Sequence, residues 1–133
     1  MSQSAKGTFD VTMNRHPPYD TAEGASLGKV SVTKQFHGEL EGSSALEMIS
    51  AMSQVKGSAG YVAIERVTGS LHGRTGTFVL QHNGIMTRGK PELIVSVVPD
   101  SGTSELRGIA GQMTIEIVDG KHFYSFAYTL DAQ

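Results

Sequence analysis

The chain contains neither cysteine nor tryptophan. Without cysteine there is no disulfide, no thiolate nucleophile, no iron–sulfur cluster and no cysteine-ligated zinc. Excess basic charge is also missing. Eleven lysines and arginines face 13 aspartates and glutamates, for a net charge of −2, and no basic stripe runs along the sequence. Nucleic acid is therefore not an expected partner. No stretch approaches the ~20 apolar residues of a membrane span. The opening residues, MSQSAKGTFDVTMNRH, show neither an apolar signal core nor a twin-arginine pair. A cytoplasmic protein with no membrane partner is the expectation. Histidines 16, 37, 72, 82 and 122 have no HxH or HxxxH spacing, so no metal site is expected. A phosphate loop, a dinucleotide fingerprint and a nucleophile elbow are likewise missing, and no cofactor is expected.

What the sequence does have is glycine, 16 residues of it, without a collagen period. That density suits a chain with many tight turns. The length of 133 residues fits a single domain, 1–133. Strong helix signals are lacking, and alternation of apolar and polar residues recurs from end to end. Phe9, Val11 and Met13 share one side of a strand over 8–14. Residues 15–28, with two adjacent prolines, read as a long loop from which Tyr19 packs inward. In 29–40, Val30, Val32, Lys34, Phe36 and Leu40 share a face. A turn is expected at Glu41–Ser44, then a strand over 45–53.

The most informative stretch is GYVAIERVTGSLHGRTGTFVLQHNG, residues 60–84. It predicts two strands, about 59–71 and about 76–83, around a glycine-rich turn. Residues 85–92 read as a further turn. LIVSVV, 93–98, is apolar almost throughout and predicts a strand covered on both faces. Residues 99–106 form a loop that can end in one helical turn capped by Ser101 or Thr103. Strands over 112–118 and 121–130 flank Asp119-Gly120, the strongest short hairpin signal in the chain. A pattern Leu-x-Gly-x-x-small recurs at Leu40, Leu71 and Leu106, each time read as a tight turn with glycine at positive φ. About eight antiparallel strands of this length either close into a barrel or split into a sandwich, and closure removes exposed edges. The expected fold class is all-β, a closed antiparallel barrel.

Register carries the functional reading. An odd-sum pairing of the central hairpin sets Leu71 opposite Phe78 and Val67 opposite His82, and gathers Ala63, Glu65, Val67, Leu71, Phe78, Leu80 and His82 on one face. Glu65 and His82 then lie diagonally, about 7–8 Å apart at the backbone and within side-chain reach. A carboxylate beside an imidazole on an apolar face can serve as an acid/base pair or as a buried ion pair that fixes register. Tyr61 has the same parity and can line the same cavity. Arg66 has the opposite parity and points away.

The run GSLHGRTGTFVLQHNG (69–84), with SVTKQFHGELEG before it and VVPDSGTSELRGIAG after it, resembles the bacterial "domain of unknown function 3224" family. The resemblance covers Thr8 to about Leu130. It implies an allene-oxide-cyclase-like β-barrel that assembles as a homo-oligomer, and it brings no activity of its own. Three readings follow. The barrel binds a small apolar or amphipathic molecule, with Tyr61, Glu65, Phe78, Leu80 and His82 as lining residues. It is a cofactor-independent isomerase or cyclase, with Glu65 and His82 as the catalytic candidates. Or it is an oligomeric structural protein whose barrel is filled and whose apolar strand 93–98 is an interface.

Overall fold

The computed structural model describes residues 2–130. Eight antiparallel strands form a closed barrel in sequence order: β1 (Ser2–Arg15), β2 (Ala25–Gly38), β3 (Leu40–Ser53), β4 (Ala59–Leu71), β5 (Arg74–Thr87), β6 (Lys90–Val97), β7 (Ala110–Val118) and β8 (Lys121–Thr129). Each strand pairs with its predecessor, and β8 returns to β1 through a ladder from Ser2↔Thr129 to Phe9↔His122. The all-β barrel expected from alternation and glycine content is the fold observed. Among the described residues, no helix is long and apolar enough to cross a membrane.

Three of the hairpins turn on two residues at positive φ: His72-Gly73, Arg88-Gly89 and Asp119-Gly120. Positive φ at both positions matches the twist of paired strands, which is why such turns favour glycine at the second place. Only Asp-Gly advertises this turn strongly. His-Gly and Arg-Gly do so weakly; β4 has the expected bounds, while β5 and β6 reach into residues expected as turns. The central hairpin keeps its odd-sum parity but slides. Val67 faces Phe78, Ala63 faces His82, and Leu71 faces Arg74. The two-residue turn replaces the longer loop, and each partner moves along by four residues, an even number that preserves the faces.

Other expectations need correction. The turn expected at Glu41–Ser44 lies earlier, around Gly38 and Glu39, and Gly42 is inside β3 without positive φ. Its role is a close approach. Gly42 pairs with Gly69, and a Cβ on Gly42 would sit 2.2 Å from the Thr68 carbonyl oxygen. Gly73 and Gly108, the equivalent glycines of the other two copies of the pattern, do have positive φ. The first loop is shorter than expected because β2 begins at Ala25, and Tyr19 is exposed. The outer face of β6 is also open, with Ile94 58% exposed. Beyond β6 the chain runs on beside β5. Ser101 Oγ accepts the Val79 amide, and Thr103 Oγ1 accepts the Thr77 amide, so neither caps the 3-10 turn Ser104–Leu106.

The inside of the barrel is divided along its axis. One end is closed by Leu106 and Ile109, which continue a core containing Phe36, Leu40, Leu71, Phe78, Phe126 and Tyr128. The Phe78 and Phe126 rings stack at 5.6 Å. Aliphatic and aromatic side chains together make this the larger apolar core, and its burial drives folding at about 25 cal/mol per Å² removed from water. Toward the other end a smaller cluster forms from Val30, Val32, Leu46 and Ala63, with Val11, Met48 and Tyr61 packed against it.

Candidate functional site

Between the two apolar clusters the inner faces of four adjacent strands place four polar side chains. Lys34 stands between Val32 and Phe36, Ser44 between Gly42 and Leu46, Glu65 between Ala63 and Val67, and His82 between Leu80 and Gly84. All four are buried, Glu65 completely. His82 Nε2 lies 2.6 Å from Glu65 Oε1, and Lys34 Nζ lies 3.3 Å from the same oxygen. Ser44 Oγ donates to Oε2 at 2.5 Å. An ionised carboxylate only accepts hydrogen bonds, so His82 carries its proton on Nε2. The Lys34 ammonium also sits over the Phe9 ring, 4.6 Å from its centroid, where the ring face attracts a cation.

These contacts set the charge state. Burial pushes the Glu65 carboxyl upward, but the His82 hydrogen bond, the Lys34 charge and the Ser44 hydroxyl together hold it below the ordinary carboxylate value. Glu65 is therefore an anion inside the barrel, neutralised by the lysine. Tyr61 lies toward the open end, and its phenol is pushed up by burial and then by the Glu65 charge. With both oxygens engaged, Glu65 is better arranged to orient His82 than to take up a proton itself. The imidazole is the group with a ring nitrogen left over, since only Nε2 contacts Glu65.

The arrangement sits in a barrel already known as a family. Residues 5–128 match the family described as "Protein of unknown function (DUF3224)". The chain belongs to the DUF3224 family. It is similar to a crystal structure of a protein with unknown function from the DUF3224 family of Shewanella oneidensis MR-1. The two are 49% identical, with a TM-score of 0.93 over 99% of this chain and 100% of the other. No curated protein matches the chain. DUF3224 membership thus supports the barrel and leaves its activity to be argued from side chains.

Within this DUF3224 barrel, the residues singled out from sequence separate into two groups. Glu65 and His82 meet directly, with Tyr61 within electrostatic range of the carboxylate. Phe78 and Leu80 share their face but lie deeper, fully buried in the aromatic core. Arg66 points outward, as its parity required. Sequence reasoning missed Lys34 and Ser44. The signal for Lys34 was present, a lysine in the run Val30, Val32, Lys34, Phe36 where an apolar residue was due. Ser44 carries no such signal, because Glu41-Gly42-Ser43-Ser44 has the composition of a turn although it lies inside β3.

At the open end the inner faces finish in a mixture of polar residues, Ser26, Ser50 and His122, and exposed apolar ones. Met13, Met52 and Met86, with the parity of the buried residues on their strands, are 50%, 59% and 41% exposed. Leu93 is 41% exposed on the same terms. The mouth beyond the Val30–Leu46 cluster thus sets exposed methionines among a few polar residues.

Proposed function

We propose that this DUF3224 barrel binds a small apolar or amphipathic molecule at its mouth, with Tyr61 at the rim and Glu65 and His82 as polar anchors. Phe78 and Leu80 form the packed layer beneath. The cytoplasm is kept as the expected compartment. The observation that carries the reading is a set of inward-facing methionines left exposed above the small Val30–Val32–Leu46–Ala63 cluster, with the buried charged network beneath that cluster. Methionine is flexible and polarizable, and suits a surface that receives variable apolar shapes. Sites of this kind combine an apolar lining with a few convergent polar groups. Native mass spectrometry of freshly purified protein tests it and reads the oligomeric state in the same spectrum. A co-purified small molecule, lost on Tyr61→Ala, is the expected result. A bare chain mass, together with no thermal shift from a panel of apolar and amphipathic probes, overturns the proposal.

A second reading, a cofactor-independent isomerase or cyclase, draws on the Glu65–His82 pair. In it His82 handles the proton and Glu65 orients and charges the imidazole. Glu65→Gln separates the two: retained binding with lost turnover supports catalysis, and wild type without turnover on any bound molecule supports binding alone. The expected homo-oligomer has support of a different kind. Ile49, Val62, Ile64, Ile85 and Ile94 are each at least half exposed on the outer faces of β3 to β6, with Ile49 paired to Val62. Contiguous exposed apolar surface of this kind marks interaction sites.

A further inference from the structure

The closed end of the barrel holds a second polar constellation, separated from Glu65 by the aromatic core. His72 sits in the β4–β5 turn with φ +48, a conformation that costs a non-glycine residue free energy. Both its ring nitrogens are engaged. Nε2 lies 3.1 Å from Glu39 Oε2, and Nδ1 meets the Tyr128 hydroxyl in a close contact. Glu39 is fixed in turn, because its Oε1 accepts the Lys6 amide at 2.8 Å. The carboxyl is held below its ordinary range by that amide and by His72. The Tyr128 hydroxyl also faces Gln3 Oε1 at 3.3 Å. Carboxylate, imidazole and phenol are thus aligned in series across β1, β8 and two turns.

Arg74 stands two residues beyond His72, with the parity of Gly76 and Phe78, so it is directed over the same end of the barrel. Its Nη1 is buried and, among the described residues, has no hydrogen-bond partner. The guanidinium acts electrostatically on both Tyr128 and Glu105. Glu105 does not satisfy it, since Oε1 of that carboxylate is engaged by the amide and hydroxyl of Thr75. A buried donor without an acceptor is costly, and such a group calls for an explanation.

We propose that the closed end is a binding site for a compact oxyanion, a carboxylate or phosphate group, seated on the Arg74 guanidinium at the edge of the Glu39–His72–Tyr128 series. The planar, permanently charged fork of arginine matches the oxygens of either group. Its positive charge disfavours a cation, and the unpaired donor disfavours a purely apolar ligand. The Glu39–His72 pair positions the phenol and offers its hydroxyl a proton acceptor. Part-burial of Arg74 leaves the guanidinium room to turn toward a ligand arriving from outside the barrel.

The test is titration of the whole protein with inorganic phosphate and, separately, with acetate, read by NMR at the His72 imidazole and the Arg74 side chain. Saturable shifts at both residues are expected. Arg74→Gln should weaken binding about tenfold, since charge-assisted contacts are the strong ones, whereas Arg88→Gln in an exposed turn should leave it unchanged. Tyr128→Phe should weaken it less. Saturation by phosphate alone identifies a phosphate site, and by acetate alone a carboxylate site; the absence of saturation with either overturns the proposal. Equal losses in the Arg74 and Arg88 variants also overturn it, as diffuse counterion binding. If Arg74→Gln does not fold, Arg74→Lys keeps the charge without the fork, and undiminished binding in that variant refutes the bidentate geometry.

Discussion

Replacing Lys34 by Met and Glu65 by Gln, singly and together, tests whether the interior charges are held by one another. Lys34 and Glu65 are 7% and 0% exposed, and their charged atoms are 3.3 Å apart. Removing one partner of a buried pair leaves the other charge without compensation, at a cost of about 3–5 kcal/mol. Lys34→Met leaves Glu65 with the His82 and Ser44 hydrogen bonds, so the lower end of that range applies. Glu65→Gln leaves the ammonium with only the Phe9 and Phe36 rings, so the upper end applies. The double variant leaves no buried ion, and methionine fills the lysine volume among Phe9, Phe36 and Val32. It should be less destabilised than the sum of the single variants by about 1–3 kcal/mol, the usual coupling for residues in one network. Urea unfolding followed by circular dichroism reads all four proteins. An unchanged m-value keeps the comparison within two-state behaviour. Double-variant losses that equal the sum within about 0.5 kcal/mol would refute a buried coupled pair.

Acid unfolding gives an independent view of the same carboxylate. The folded Glu65 is held below its ordinary value of 4.5, so its contribution to stability is complete above that value and is lost as pH falls through the lower folded one. Glu65→Gln should therefore flatten the fall in stability below about pH 4.5, and an acid limb identical to wild type would contradict the assignment. Gly42→Ala should destabilise by about 1–3 kcal/mol through overpacking against the facing backbone of β4, measured by thermal unfolding; Gly73→Ala, with open space around it, should cost only the positive-φ penalty. Tyr124→Phe should cost about 1–3 kcal/mol, because its hydroxyl accepts the Leu40 amide at 2.9 Å and lies 3.1 Å from the His37 and Leu40 carbonyls. A loss below about 0.5 kcal/mol in that variant would mean the turn between β2 and β3 is held by other contacts.

The faces of the strands were legible in the sequence, and the rungs between them were not. Period-two alternation assigns Glu65, His82 and Tyr61 to one side in any odd-sum register, because a shift by an even number of residues leaves parity intact. That is why the Glu65–His82 contact was foreseen although its pairing was misplaced. Register depends on turn length, and His72-Gly73 lacks the Asn or Asp that announces a two-residue turn. Ser44 was lost for a related reason: Glu41-Gly42-Ser43-Ser44 has turn composition, but Gly42 is needed for the close approach of β4. Lys34 falls on the inner face by parity alone, and a lysine among Val30, Val32 and Phe36 is itself the local mark of a buried partner. The pairing of Glu39, His72 and Tyr128 joins residues from two turns and the last strand, and no local pattern announces it.

Closure of the barrel has a consequence for how the chain assembles. Every ladder except one joins neighbouring strands and can zip as a local hairpin, so the meander up to β8 pays little loop-closure entropy. The β1–β8 ladder is different, since it pairs the first strand with the last. The ladder between β6 and β7 is the thinnest, with only Val95↔Met113 and Ser96↔Gln112 paired. A ring with one long-range seam and one thin seam has two natural places to part. Local opening is concentrated where few backbone bonds must break. Parting at the thin seam would widen the mouth beside Leu93 while the terminal ladder holds. Parting at the terminal seam would expose two bare strand edges, the arrangement most prone to pairing with other chains. β1 and β8 are thus structural members of the ring, and between β6 and β7 the ring is held chiefly by the connecting segment, through Leu106 and Ile109 in the core and Ser101, Thr103 and Glu105 bonded to β5.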